Sequence, residues 1–164
     1  MTDTESLAPS DALKLAFREH PTGVALITAN FEGEPYGLTA SSVASVGIDP
    51  PALSFSVTKA TGSAAGILHA DSCVVHLLDS RHADVARSFA VTGAERFTPG
   101  QGWTTLPTGE PYLPGVRAAL RCSILHSLGV GASVIVVAEV LEALFGEEAA
   151  PMVYFDREFR LLEA

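Results

Sequence analysis

Two short stretches of this chain gather hydroxyls and one lysine around residues of little bulk, and together they suit a flat, phosphorylated molecule. The first is Gly37-Leu-Thr-Ala-Ser-Ser-Val-Ala-Ser45. A planar ring can lie against such a segment and bond to its N–H, C=O and hydroxyl groups. The second follows the Asp49-Pro-Pro51 turn and one apolar strand, and holds Lys59, Thr61, Gly62 and Ser63. A cation and two hydroxyls where a helix can begin favour a phosphate. Lys59 is one of only two lysines, the other being Lys14, so it is not one of a surface crowd. Taken singly these features are ordinary, because serines and threonines populate half-buried strands and lone loop lysines are solvated. Their order along the chain carries the expectation.

Other chemistries find less support. The five histidines (20, 69, 76, 82 and 126) are scattered, and none has a partner at a metal-ligand spacing. Cys73 and His76 stand three apart in an expected strand, which sends them to opposite faces. No serine or cysteine sits in a nucleophile elbow, and Cys122 in an apolar strand reads as a core thiol. His82 and His126 read as a helix-start and a strand histidine. A net charge of −9 without a basic tract argues against nucleic acid. The apolar stretch near Val134–Ala138 stops at Glu139, far short of the ~20 residues that cross a membrane, and the acidic start, Met1–Glu5, carries no secretion signal. The expected location is the cytoplasm. With 48% hydrophobic residues, the chain has either a rich core or apolar surface left for an oligomer interface.

These residues need elements to hold them. Length predicts one domain, residues 10–164, after a flexible tail over 1–9. Ser10 is expected to cap a helix over Asp11–His20 that Pro21 ends. Strands are predicted over Gly23–Asn30 and Pro35–Ser45, around a hairpin turn at Phe31–Glu34, and over Ala52–Thr58, where apolar residues alternate with Ser54 and Ser56. A short helix over Gly62–Ala70, a buried strand over Cys73–Leu78 and a helix over Arg81–Ala90 follow, the last with Val85, Ala86 and Phe89 on one face. Residues 93–115, with the only tryptophan, Trp103, have no period and read as a long functional loop. Strands return over Ala118–Ser127, Ser133–Leu144, Val153–Phe155 and Phe159–Leu162. Many strands with a few short helices predict a mainly β fold closed into a barrel, which removes exposed edges.

The chain resembles the flavin reductase-like, FMN-binding split-barrel family, which includes the small reductase components of two-component flavin monooxygenases. Carriers of the resemblance are Pro21-Thr-Gly-Val-Ala-Leu-Ile-Thr28, Gly37–Val46, Asp49-Pro-Pro51, Lys59–Ser63, Phe89, Glu95-Arg-Phe97, Cys122, Gly131 with Ala138-Glu-Val140, and Pro151-Met-Val-Tyr-Phe155. The resemblance implies a homodimeric split barrel that binds FMN, or FAD, and takes electrons from NAD(P)H. It implies that Thr39, Ala40, Ser41, Ser42 and Val46 border the ring and ribityl chain, and that Lys59, Thr61 and Ser63 hold the phosphate, with Arg96 within reach of it. Tyr154 and Phe155 could close over the flavin edge. The implied function is an NAD(P)H:flavin oxidoreductase that supplies reduced flavin, with an oxygenase as a possible partner. One departure stands out. Family reductases commonly carry Gly-Asp-His where this chain has Gly131-Ala132-Ser133, which puts Ser133 at the nicotinamide-pocket position. A flavin-binding protein of the same fold without efficient NAD(P)H oxidation is therefore the alternative, and a ligand-free interaction module is a third.

Overall fold

The computed structural model describes residues 7–58 and 62–162. Helix α1 (Pro9–Arg18) comes first and buries none of its residues. Its N-cap is Ala8, without a side-chain bond, and Pro9 takes the first helical position. The expected cap at Ser10 is thus corrected: proline, with φ already helical and no N–H to satisfy, starts this helix two residues earlier.

Strand β1 (Thr22–Gly23) is short, and the hairpin β2 (Ala25–Phe31) and β3 (Glu34–Ala40) follows. Glu32 and Gly33 at its tip have φ of 54° and 84°, the two positive values that a tight hairpin turn requires. The single strand expected over Pro35–Ser45 is instead two. After Ala40 the chain changes partners at residues 41–43, because β3 pairs with β2, whereas β4 (Ala44–Ile48) pairs with β5 (Pro51–Thr58). In β5 the expected alternation holds, with Leu53, Phe55 and Val57 buried.

Helix α2 (Ser63–His69) packs on this hairpin. A Cβ at Gly66 would fall 2.2 Å from the Tyr36 ring of β3, so only glycine permits this approach. Strand β6 (Ser72–Leu77) runs through the centre and is buried on both faces. Cys73 and Val75 join the core that holds Phe55 and Ile67, while Val74 joins a second core around Leu26 and Phe89. A 3₁₀ turn (Ser80–His82) leads into α3 (Ala83–Ala90), whose Ala86 and Phe89 are buried with Val85 packed beside them, as predicted.

Residues 93–115 are more ordered than their composition suggests. They hold a 3₁₀ turn (Pro99–Gln101) and the paired strands β7 (Thr104–Thr105) and β8 (Pro111–Tyr112). Trp103 packs against His76, Phe89 and Phe97 and donates to Gln101 Oε1 at 2.9 Å. Glu110, 2% exposed, accepts from Ser72, Thr108 and Arg121, the last at 2.8 Å. Burial opposes its charge, but these bonds outweigh that and hold its carboxyl below the usual range. Beneath the loop, His76 is fully buried. Its Nδ1 meets the Leu26 carbonyl at 3.0 Å and its Nε2 accepts from the Leu113 N–H at 3.1 Å. Burial lowers its pKa to about 4, so the ring is neutral.

The long hairpin β9 (Ala118–Val130) and β10 (Ser133–Phe145) and the pair β11 (Met152–Phe155) and β12 (Glu158–Leu161) complete the fold. The main sheet runs β3-β2-β6-β9-β10-β5-β4, and a second joins β1, β11 and β12. The edge strands β3 and β4 are consecutive in the chain, so three residues draw the two ends of the main sheet together. Ser42 spans the seam: its hydroxyl accepts from the Ser56 N–H at 2.9 Å and donates to the Ser56 carbonyl at 3.3 Å. The result is the mainly β split barrel that the sequence predicts. No helix among the described residues is long and apolar enough to cross a membrane.

Candidate functional site

Three elements meet around the start of α2. Strand β5 offers Ser56 and Thr58 on its outward face, β3 offers Leu38 and Thr39, and the segment after α3 returns Arg96. Between them lies a cleft of about 690 Å³, within the range of small-molecule sites. Arg96 is fixed at one end of it. Its Nη1 donates to the Gly37 carbonyl at 3.1 Å and to Ser63 Oγ, its Nη2 reaches the Val91 carbonyl at 3.4 Å, and its guanidinium lies 5.7 Å from the Phe89 ring centre. These contacts leave further N–H groups on the fork to meet an anion beside the Ser63 hydroxyl. In the β3 wall Thr39 donates to the Ala86 carbonyl at 2.6 Å, which ties β3 to α3 and leaves the Thr39 oxygen free to accept.

Thr39 also lines an adjoining compartment of about 200 Å³, with Ala40, Ser41, Ala90, Tyr154 and Phe159. Ala90, Tyr154 and Phe159 in turn line a third, of about 590 Å³, that Arg87 and Arg157 complete. The three share walls: Ala90 lines all of them, Thr39 joins the first two, and Tyr154 and Phe159 join the last two. Small residues in β3, a cation fixed at one end and a strand order that closes a split barrel coincide with a match of residues 17–163 to the flavin reductase like domain. The chain belongs to this flavin reductase-like family.

Among its relatives is an NADH:FMN oxidoreductase of Rhodococcus qingshengii, 32% identical over 150 residues, which span 89% of this chain and 78% of the relative. Among solved structures, a flavin reductase domain protein from Arthrobacter sp. FB24 superposes with a TM-score of 0.89 at 34% identity, covering 94% of this chain and 96% of that one. The NADH:FAD oxidoreductase of Streptomyces globisporus C-1027, solved in complex with NAD and FAD fragments, gives 0.87 at 28% identity, covering 97% of each chain.

The residues expected of a flavin reductase-like site are partly brought together. Ser63 and Arg96 touch, and Thr39, Ala40 and Ser41 line the neighbouring walls. Lys59 and Thr61 lie outside the described residues, although Thr58 and Gly62 on either side both line the cleft. Ser42 lends its hydroxyl to the barrel seam instead. Val46, on the exposed strand β4, lines none of the three compartments. Ser133 lines none of them either, but it pairs with Thr58 across the β10–β5 register, and directly paired residues share a face. Ser133 therefore stands on the outer face beside a cleft-lining residue. Tyr154 lines the smaller two compartments and Phe155 does not.

Sequence reasoning missed Phe159 and Ala90. The signal for Phe159 lay in reading Asp156-Arg157 as a two-residue turn, which sets Phe159 directly opposite Tyr154. His82 has a local role: it stands 3.0 Å from Asp79, the buried carboxylate that also takes two bonds from the Arg81 side chain. Burial lowers the His82 pKa.

Proposed function

We propose that this chain is an FMN-dependent NAD(P)H:flavin oxidoreductase, acting as a homodimer in the cytoplasm and releasing reduced flavin to a separate acceptor such as an oxygenase component. The observation that carries the reading is the Arg96 and Ser63 pair at one end of a cleft whose neighbouring wall is Thr39, Ala40 and Ser41. A guanidinium and a hydroxyl suit a terminal phosphate, and small residues with free acceptors suit a polyhydroxyl chain and a flat ring edge. Lys59 and Thr61 add to the phosphate end in this reading. Bound flavin would supply the redox chemistry, held by Arg96 and Ser63 at its phosphate and by Thr39, Ala40 and Ser41 along its chain and ring edge. The protein's task is to hold the flavin and nicotinamide rings in register.

The dimer reading rests on the outer face of the barrel. Leu128, Ile135 and Ser56 stand in one row across β9, β10 and β5, and Val130, Ser133 and Thr58 in the next. Leu128, Val130 and Ile135 are 63%, 58% and 40% exposed. An apolar face of this kind, continuous with the rim of the cleft, suits a self-complementary interface that borders the site.

A visible spectrum of the purified protein with added FMN, then with NADH or NADPH under anaerobic conditions, tests the function. The expected result is a perturbed flavin spectrum that bleaches with one of the two donors, and failure to bind FMN or FAD refutes the reading. Ala132 and Ser133 favour a second one, a flavin protein of this fold with weak donor use. In that case flavin binds but bleaches slowly, and Ser133→His lowers the KM for one nicotinamide nucleotide.

A further inference from the structure

We infer that Cys73 and Cys122 form an intramolecular disulfide site, closed by hydrogen peroxide and reopened by small thiols, that links β6 to β9 through the barrel core. They are the chain's only cysteines and lie far apart in sequence, yet the β6–β9 register sets them directly opposite one another. Directly paired residues of antiparallel strands share a face and have Cα atoms about 4.5–5.5 Å apart, within the roughly 4.4–6.8 Å that a disulfide spans. Both side chains belong to the core that holds Phe55 and Ile67, and both are fully buried. Cys122 Sγ donates to the Leu120 carbonyl at 3.4 Å, which leaves its sulfur to accept from the Cys73 thiol. The contact with Cys122 and then burial push the Cys73 thiol well up, so at rest Cys73 is protonated and unreactive.

Access comes from the strand end. Cys73 is the second residue of β6, after the half-buried Ser72 and the exposed Asp71, and strand ends open before strand centres. On such an opening one thiol attacks the peroxide, the O–O bond breaks, a water leaves and the sulfur becomes a sulfenic acid. The second thiol displaces that oxygen as another water, so the S–S bond forms, the pair is oxidised by two electrons and both thiol protons end in water. Reduced flavin that meets dioxygen is a source of peroxide under the function proposed above, but the site itself does not rest on that reading. The bond closes residues 73–122 into a ring that contains α3, Arg96 and the segment 93–115. Ser72 and Arg121, each next to one of the cysteines, both donate to Glu110, so the link also fixes two of the donors that anchor this segment. In a reducing compartment it is transient.

The test exposes the full-length native protein, without denaturant, to hydrogen peroxide or to diamide, then reads intact mass, thiol content and urea midpoint. The expected product is a single chain lighter by two hydrogens, with no free thiol and a peptide pair joined through Cys73 and Cys122. Its urea midpoint is expected to rise by about 1 M or more, and dithiothreitol should reverse every change. Cys73→Ala and Cys122→Ala should each keep one thiol, which stays free or gains oxygen, and show no rise in midpoint. Should these variants fail to fold, the wild-type mass and the joined peptides decide alone. Wild type that keeps both thiols after a day in peroxide, gains oxygen in place of losing hydrogens, cross-links between chains, or forms the bond only at unfolding urea concentrations overturns the proposal. Failure to bind flavin refutes the function proposed above and leaves this result unchanged.

Discussion

Removing the Arg96 guanidinium should separate two roles that the structure gives it. Toward the protein, Arg96 bonds the carbonyls of Gly37 and Val91 and the Ser63 hydroxyl and lies against Phe89. The residue is half-buried, so each neutral acceptor left behind can recover water in part, and Arg96→Ala should cost about 1–3 kcal/mol of stability. Toward a phosphate it offers a charge-assisted bond, whose loss costs about 1.5–3 kcal/mol, or roughly ten- to a hundredfold in Kd. Arg96→Lys keeps the charge but cannot hold Gly37, Val91 and an anion at once, so it should fall between wild type and alanine. Flavin fluorescence quenching gives Kd, and urea unfolding of the flavin-free protein gives stability. An alanine variant that loses stability but keeps its FMN affinity within about twofold would show that Arg96 is a strut for the segment after α3, and the phosphate assignment would fail.

The buried, neutral His76 makes stability depend on pH. Its folded pKa of about 4 lies below the ordinary 6.5, so the unfolded chain binds the extra proton between these values and stability falls as pH drops through that window. The loss is on the order of 3 kcal/mol, and His76→Gln should flatten that part of a urea-derived stability profile; an unchanged slope would count against it. Gly66→Ala drives a methyl group into the Tyr36 ring and should destabilise by about 1–3 kcal/mol, read as a lower urea midpoint. Sedimentation should show a dimer at micromolar concentration, and Leu128→Asp with Ile135→Asp should give a folded monomer; a monomeric wild type rejects the interface.

Local patterns made much of the fold legible. Leu53, Phe55 and Val57 announced the half-buried strand β5, Phe31-Glu-Gly-Glu34 announced a hairpin, and Val85, Ala86 and Phe89 marked the inner face of α3. The break after Ala40 was hidden, because it reflects a change of pairing partner and not a breaker in the sequence. The order within residues 93–115 was hidden for a similar reason: Trp103 packs on His76 and Phe89, and Glu110 is held by Ser72, 38 residues away, as well as by Arg121. At the site, the hydroxyl-rich segment was legible by itself. Arg96 entered through the family resemblance, and Phe159 needed the hairpin register. Contacts made across the fold leave little trace in a window of a dozen residues.

The seam at Ser42 gives this barrel an unusual kind of closure. Elsewhere the pairing of the main sheet rests on peptide groups, which every residue type but proline supplies in full. At the Ser42 rung a hydroxyl stands in for the backbone and satisfies both the N–H and the carbonyl of Ser56. The completeness of the sheet is therefore written in a codon and can be edited, loosened or restored by a single substitution. Amide exchange at Ser56 would read that edit directly, as a rung of the barrel that evolution can open without rebuilding a strand.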